Sequence, residues 1–230
     1  MHSNRQTAVA VGVLFLTATV TYYIADMLIV GVLGNPDTLA DLSAHSNNLR
    51  IAALFALMEA GAAIGIAVLM YPLLKSHNEQ LALGYVGFRV LESAAILFFL
   101  AVPLFLAVFV DGGRLGETSD VAVSQELGSL LKTQYEVAWR MVWLLAALAG
   151  IIFAYLLFRT RLVPRWLAVL GCVGYPLMLV GTLLYMFGKI DLFQTSAGTI
   201  VAAPVGLFEL ILPIWLFTKG FNDYPDQAGA

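Results

Sequence analysis

The chain has 230 residues, 60% of them hydrophobic and only 12% charged, against roughly a quarter charged in a soluble domain. A mean hydropathy of +0.87 leaves too few polar side chains to cover a water-facing surface, which excludes a soluble globule and implies an integral membrane protein. Twelve Lys and Arg against 15 Asp and Glu give a net charge of -3 with no basic run, which argues against a nucleic-acid partner.

A hydrocarbon core of about 30 Å takes roughly 20 apolar residues in a helix. The first stretch that qualifies covers about residues 8 to 33. It is longer than the apolar part of a signal peptide and no small-residue cleavage site follows, so it reads as an uncleaved first span. The connection after it carries Asp37 and Asp41, and Leu39 and Leu42 stand three apart, which suits a short surface helix.

The second span, about 49 to 74, carries Glu59 about 10 residues from its end, hence roughly 15 Å deep. Ala52, Ala56, Ala62 and Ala63 lie on its face and Gly61-x-x-x-Gly65 is adjacent. Such spacing lets another helix approach closely, within the chain in preference to across a homo-oligomer. The third span, about 81 to 110, places Tyr85, Arg89, Glu92 and Ser93 on one side, with Arg89 and Glu92 at i and i+3 and Glu92 roughly 17 Å deep. Pro103 bends it further on.

The next connection holds Asp111, Glu117, Asp120 and Glu126. Ser119 or Asp120 could cap a helix whose Val123, Leu127, Leu130 and Leu131 share a face. This predicts a short helix on the membrane surface or a lead-in to the fourth span, and a lid over a cavity is its functional counterpart. In the fourth span, about 134 to 158, Glu136 and Arg140 pair at i and i+4, and Arg140 sits roughly 9 Å deep. A tight basic connection, Arg159, Arg161 and Arg165, leads to the fifth span, about 163 to 187. That span contains Pro176 and the single cysteine, Cys172, so no intrachain disulfide can form. The sixth, about 200 to 218, carries Glu209 roughly 14 Å deep, and Pro213 removes the amide that would bond the Glu209 carbonyl.

The predicted fold is an all-α bundle of six transmembrane helices forming one domain over residues 1 to 220, with a disordered tail from 221 to 230. Lys and Arg concentrate in the connections that hold Arg5, Lys75, Arg159, Arg161, Arg165 and Lys219, against Arg50, Arg114, Lys132 and Lys189 on the other side. That bias predicts both termini in the cytoplasm. His2, His45 and His77 all fall in the terminus or connections, so the sequence offers no catalytic constellation, no metal site and no cofactor signature.

Five charged residues lie inside predicted spans: Glu59, Arg89, Glu92, Arg140 and Glu209. Each costs about 2.5 to 3.5 kcal/mol at a span centre even on the mildest scale, so they are expected to face the bundle interior and meet in one layer. With Tyr85 they form the candidate binding site. Three deep glutamates against two arginines leave one carboxylate that must take up a proton, hold a mobile cation or meet a bound ligand. The layer could therefore bind or pass a proton, a cation or a small amphiphile. It could instead belong to a membrane-embedded enzyme using Glu59 or Glu209 as a general base, or fix helix register in a structural or assembly protein. Membrane lipid is the one partner certain from composition.

Several segments read together are similar to one family. Tyr71, Leu73, Leu74 and Lys75 close the second span, followed by Arg89-x-x-Glu92. Then come Tyr155 to Arg159, Leu162-Val163-Pro164-Arg165-Trp166-Leu167, and Gly171, Gly174 and Tyr175. The last segment is Glu209-Leu-Ile-Leu-Pro213-Ile-Trp215-Leu-Phe-Thr-Lys219-Gly220. In this order they resemble the DUF4386 family of uncharacterised bacterial membrane proteins. Phe208 stands where that family often has Gly, and the Trp139-Arg140 region departs from its fourth span. The resemblance implies a six-helix protein of the bacterial inner membrane and brings no activity with it.

Overall fold

The computed structural model describes residues 2–33, 45–111, 121–190 and 196–222. Among them the chain is all helical: α1 (His2–Leu33), α2 (Ser46–Lys75), α3 (Glu79–Asp111), α4 (Val121–Thr160), α5 (Arg165–Met186) and α6 (Ser196–Thr218). All six are long and apolar enough to cross a membrane. The chain is a multi-pass membrane protein. Helices are the form these residues take because hydrocarbon offers no water to backbone groups, and a helix satisfies its own.

The segment predicted to lead into the fourth span is helical from Val121 and runs unbroken to Thr160, so α4 is one long helix and not a span beside a separate surface helix. Leu39, Leu42, Ser119, Asp120 and the tail beyond Asn222 lie outside the described residues.

Each helix packs on its neighbours in sequence and α6 returns to α1, which closes a ring of six. Small residues set the spacing, since in lipid the association of helices rests on van der Waals packing. Ala52, Ala56, Ala60, Ala63 and Ala67 form a buried stripe on α2. A Cβ on Gly65 would sit 3.0 Å from Leu14 of α1, and one on Gly174 of α5 would sit 2.9 Å from the Val205 backbone nitrogen of α6. Gly61 has open space beside it, where a Cβ would meet nothing within 4 Å among the described residues. Ser93 Oγ of α3 donates to the Ala60 carbonyl of α2 at 3.0 Å.

One end of the ring, here called the turn end, is tied by two short connections. Asn78 Oδ1 caps α3 by accepting from the Leu81 amide at 2.9 Å. Arg161, at φ 56, ends α4 in the left-handed conformation, its amide donating to the Leu157 carbonyl at 3.1 Å. Gly220, at φ 76, ends α6 in the same way. Asn222 then closes over the α4–α5 turn, its backbone amide donating to the Leu162 carbonyl at 2.9 Å and its Nδ2 to the Arg161 carbonyl at 2.9 Å. The first two residues of the expected tail are thus fastened to the bundle.

Two apolar clusters fill the interior. The turn-end cluster centres on Phe153, which stacks on Tyr85 at 5.0 Å between ring centroids and on Phe15 at 5.9 Å, with Phe208 edge-on at 6.4 Å. The far-end cluster joins Ile29, Leu49, Ala56, Tyr135, Trp139 and Val142.

Candidate functional site

Between these clusters lies a cavity of about 320 Å³ that receives side chains from all six helices. At ~30 Å³ per molecule in the liquid, that is room for roughly ten waters or one small organic ligand. Its floor is the aromatic stack: Phe15 and Tyr175 face the cavity and rest on Phe153 and Phe208. Toward the far end, Tyr22 of α1 and Trp139 of α4 face it, their rings edge-on at 4.9 Å. One turn beyond those two, the Tyr135 hydroxyl donates to Asp26 Oδ1 at 2.6 Å, a bar across the ring from α4 to α1.

The charged side chains of the described cavity lining are mostly acidic. Glu59 from α2, Glu92 from α3 and Glu209 from α6 face it, and the cation among the described lining residues is Arg89 of α3. Arg89 is committed to its own helix: Nη1 donates to Oε1 and Oε2 of Glu92 at 3.0 and 3.1 Å, with both side chains more than nine-tenths buried. The i, i+3 spacing makes this possible, because it stacks the two side chains on one face one turn apart. Glu209, half-buried, accepts from the Tyr175 hydroxyl at 3.0 Å through Oε1. Glu59 is 8% exposed, and among the described residues its Oε2 has no hydrogen-bond partner. Glu59 also lies within electrostatic range of Glu92, Glu209 and Asp26, with Arg89 as the opposing charge.

The structure thus brings Glu59, Arg89, Glu92 and Glu209 to one cavity. It leaves Tyr85 beneath the floor, fully buried against Phe153, with the Arg89 guanidinium 5.6 Å from its ring centroid. Arg140 is not among the lining residues. Its Nη2 donates to the Tyr185 hydroxyl at 2.6 Å, its guanidinium lies 4.0 Å from that ring's centroid, and Glu136 is 3.6 Å away. The expected single layer of five charges is therefore four charges in the cavity and one outside it. Asp26 is a sixth intramembrane charge that sequence reasoning passed over, although it stands inside the predicted first span and the cost that singled out Glu59 applies equally to it.

Three carboxylates against one guanidinium leave two without a cation from the chain among the described residues. Such an arrangement can hold positive charge. The walls around it are apolar and rich in aromatic rings: Phe15, Tyr22, Tyr23, Trp139, Trp143 and Tyr175. Carboxylate together with aromatic faces is the chemistry that receives an ammonium group.

No curated protein and no solved structure matches the chain. The family model for a domain of unknown function, DUF4386, matches residues 10–220. Its span runs from the first turns of α1 to the glycine that ends α6, and the chain belongs to the DUF4386 family.

Proposed function

We propose that this protein binds a small organic cation in the cavity at the centre of its ring, at the carboxylates of Glu59 and Glu209, within a bacterial inner membrane. The observation that carries the reading is the state of Glu59: buried, facing a cavity of ligand size, and holding an oxygen with no partner among the described residues while Arg89 is occupied by Glu92. An unpaired carboxylate in a water-poor interior costs several kcal/mol, and a bound cation offsets that cost.

Two further features favour an organic cation over the alternatives. Among the described residues no three His, Cys, Asp or Glu side chains converge closely enough to hold a metal ion. The aromatic faces of Tyr22, Tyr23, Trp139, Trp143 and Tyr175 beside the carboxylates suit an ammonium group with apolar substituents. Lys75, Arg159, Arg161, Arg165 and Lys219 all gather at the turn end, and this bias supports a cytoplasmic turn end with both termini inside.

The test uses benzyltrimethylammonium and its uncharged carbon isostere, neopentylbenzene, titrated calorimetrically into the protein in phosphatidylcholine nanodiscs. The cation binds saturably, the isostere does not, and Glu59→Gln weakens the cation by about tenfold or more. Binding that ignores Glu59→Gln, or that accepts the isostere equally well, overturns the cation site and returns the surplus to simple protonation.

A further inference from the structure

We infer that the ligand is a cationic amphiphile that reaches the cavity sideways from the lipid, through the seam between α1 and α6, and that its tail lies in that seam while its ammonium group sits at Glu59 and Glu209. The inference rests on the cation site proposed above and adds the ligand's second half and its route.

Close packing elsewhere and exposed lining residues here point to the seam. The floor is closed by stacked aromatics. The far end is barred by the Tyr135 to Asp26 hydrogen bond, one turn beyond the lining residues Tyr22 and Trp139. Close contacts join α1 to α2 at Gly65, α2 to α3 at Ser93 and Ala60, α3 to α4 where Tyr85 stacks on Phe153 and Gly84 faces Ile152, α4 to α5 at Gly171 and Ala154, and α5 to α6 at Gly174 and Val205. Between α1 and α6 the contact is tight at the turn end, where a Cβ on Gly12 would meet the Phe217 ring at 3.0 Å and Gly220 lies beside Ala8.

Farther along, the same two helices supply cavity lining that is also exposed. Tyr23 of α1 lines the cavity yet is 63% exposed, and Ala202 of α6 lines it and is exposed. Gly206, one turn nearer Glu209, lines it too, and a Cβ there would meet nothing within 4 Å. A residue that both lines an interior cavity and faces outward from a membrane-spanning helix marks where that cavity meets the bilayer.

The tail follows from this geometry and from size. The cavity volume, about 320 Å³, is near the bottom of the range for small-molecule sites, roughly 300 to 1,000 Å³. It takes a head group and a few methylenes. Anything longer must extend out through the seam, where lipid is an apolar solvent that costs the chain nothing to remain in.

The experiment is photolabelling of the protein in phosphatidylcholine nanodiscs with dodecyltrimethylammonium carrying a diazirine at mid-chain, with adducts mapped by mass spectrometry. Adducts concentrate on residues 18–23 of α1 and 202–206 of α6. Excess benzyltrimethylammonium, which competes for the carboxylates but has no tail for the seam, lowers them by about tenfold. Gly206→Trp, which fills the seam with an indole, lowers them to a similar degree. Ala202→Trp serves the same purpose if the first variant does not elute as a folded protein.

Adducts that benzyltrimethylammonium removes but that lie between another pair of helices overturn the seam and leave the cation site standing. Adducts that survive both benzyltrimethylammonium and Glu59→Gln, or no saturable adducts at all, overturn the cation site itself.

Discussion

Removing Arg89 is the most direct test of which carboxylates are in surplus. Its guanidinium bonds both oxygens of Glu92 at 3.0 and 3.1 Å, and both side chains are more than nine-tenths buried. Arg89→Met keeps an apolar stem of similar length and leaves Glu92 as an uncompensated buried charge. Breaking a buried pair in this way costs about 3 to 5 kcal/mol, and the neighbouring Glu59 and Glu209 place the cost toward the upper figure because both repel what remains. For a chain of this size about 1 kcal/mol shifts the midpoint by roughly 2 to 4 °C, so the expected fall in Tm in dodecylmaltoside is on the order of 6 to 20 °C.

The paired variant Arg89→Met/Glu92→Met removes both charges. Replacing a buried ion pair by apolar side chains of similar volume is close to neutral or stabilising by about 1 to 4 kcal/mol, so the double variant should recover most or all of the loss. The measurement is the midpoint of thermal unfolding for the four proteins of the cycle, followed by near-UV circular dichroism. The two substitutions should be coupled by about 3 kcal/mol or more. Additive effects would refute the assignment: Arg89 would then serve Glu59 or Glu209 as much as Glu92, and the surplus would belong to a different residue.

Glu59→Met should have the opposite sign, raising stability by about 1 to 4 kcal/mol while abolishing binding of benzyltrimethylammonium, because a side chain kept for a ligand is a burden without it; calorimetric titration and thermal unfolding of the same preparation read both effects. Tyr175→Phe removes the hydroxyl that donates to Glu209 at 3.0 Å and should cost about 1.5 to 3 kcal/mol, a loss that largely disappears when Glu209→Gln is added. Gly150→Ala puts a methyl group into the ring of Tyr175, which must then shift; a loss of about 1 to 3 kcal/mol by thermal unfolding is expected. Gly61→Ala, where a Cβ meets nothing, should be neutral or gain up to about 1 kcal/mol through helix propensity.

The six spans are legible in the sequence because apolar length is a one-dimensional property, and a helix can be read from it without knowing what packs where. The Arg89 and Glu92 pair is legible for the same reason, since i, i+3 contact is internal to one helix. What the sequence does not carry is direction. Arg140 has the depth to join the other charges, but the face of α4 that holds it turns toward α5, where Tyr185 offers both a hydroxyl at 2.6 Å and a ring at 4.0 Å. Nothing in the spacing of residues 140 and 185 announces that meeting. Asp26 was legible in principle and is held by Tyr135, 109 positions away in the chain, a contact that only the closed ring produces.

This difference changes the chemistry and not only the map. Counted along the sequence, three deep glutamates face two arginines and one carboxylate is left over. Counted around the described lining of the cavity, the same three face one cation, Arg89, and two are left over. A single leftover carboxylate can be quieted by one proton shared across a network, whereas two on separate helices, Glu59 on α2 and Glu209 on α6, to either side of α1, bracket a space. A group lodged between them answers both at once, and it gains most if it is positively charged and has apolar flanks for the aromatic walls. Because the site is buried, its affinity for such a cation should change little with ionic strength, whereas a surface cluster of the same charges would weaken steeply as salt is added. Calorimetric titration of benzyltrimethylammonium at low and high sodium chloride separates the two, and a steep loss of affinity with salt would place the bound cation outside the ring.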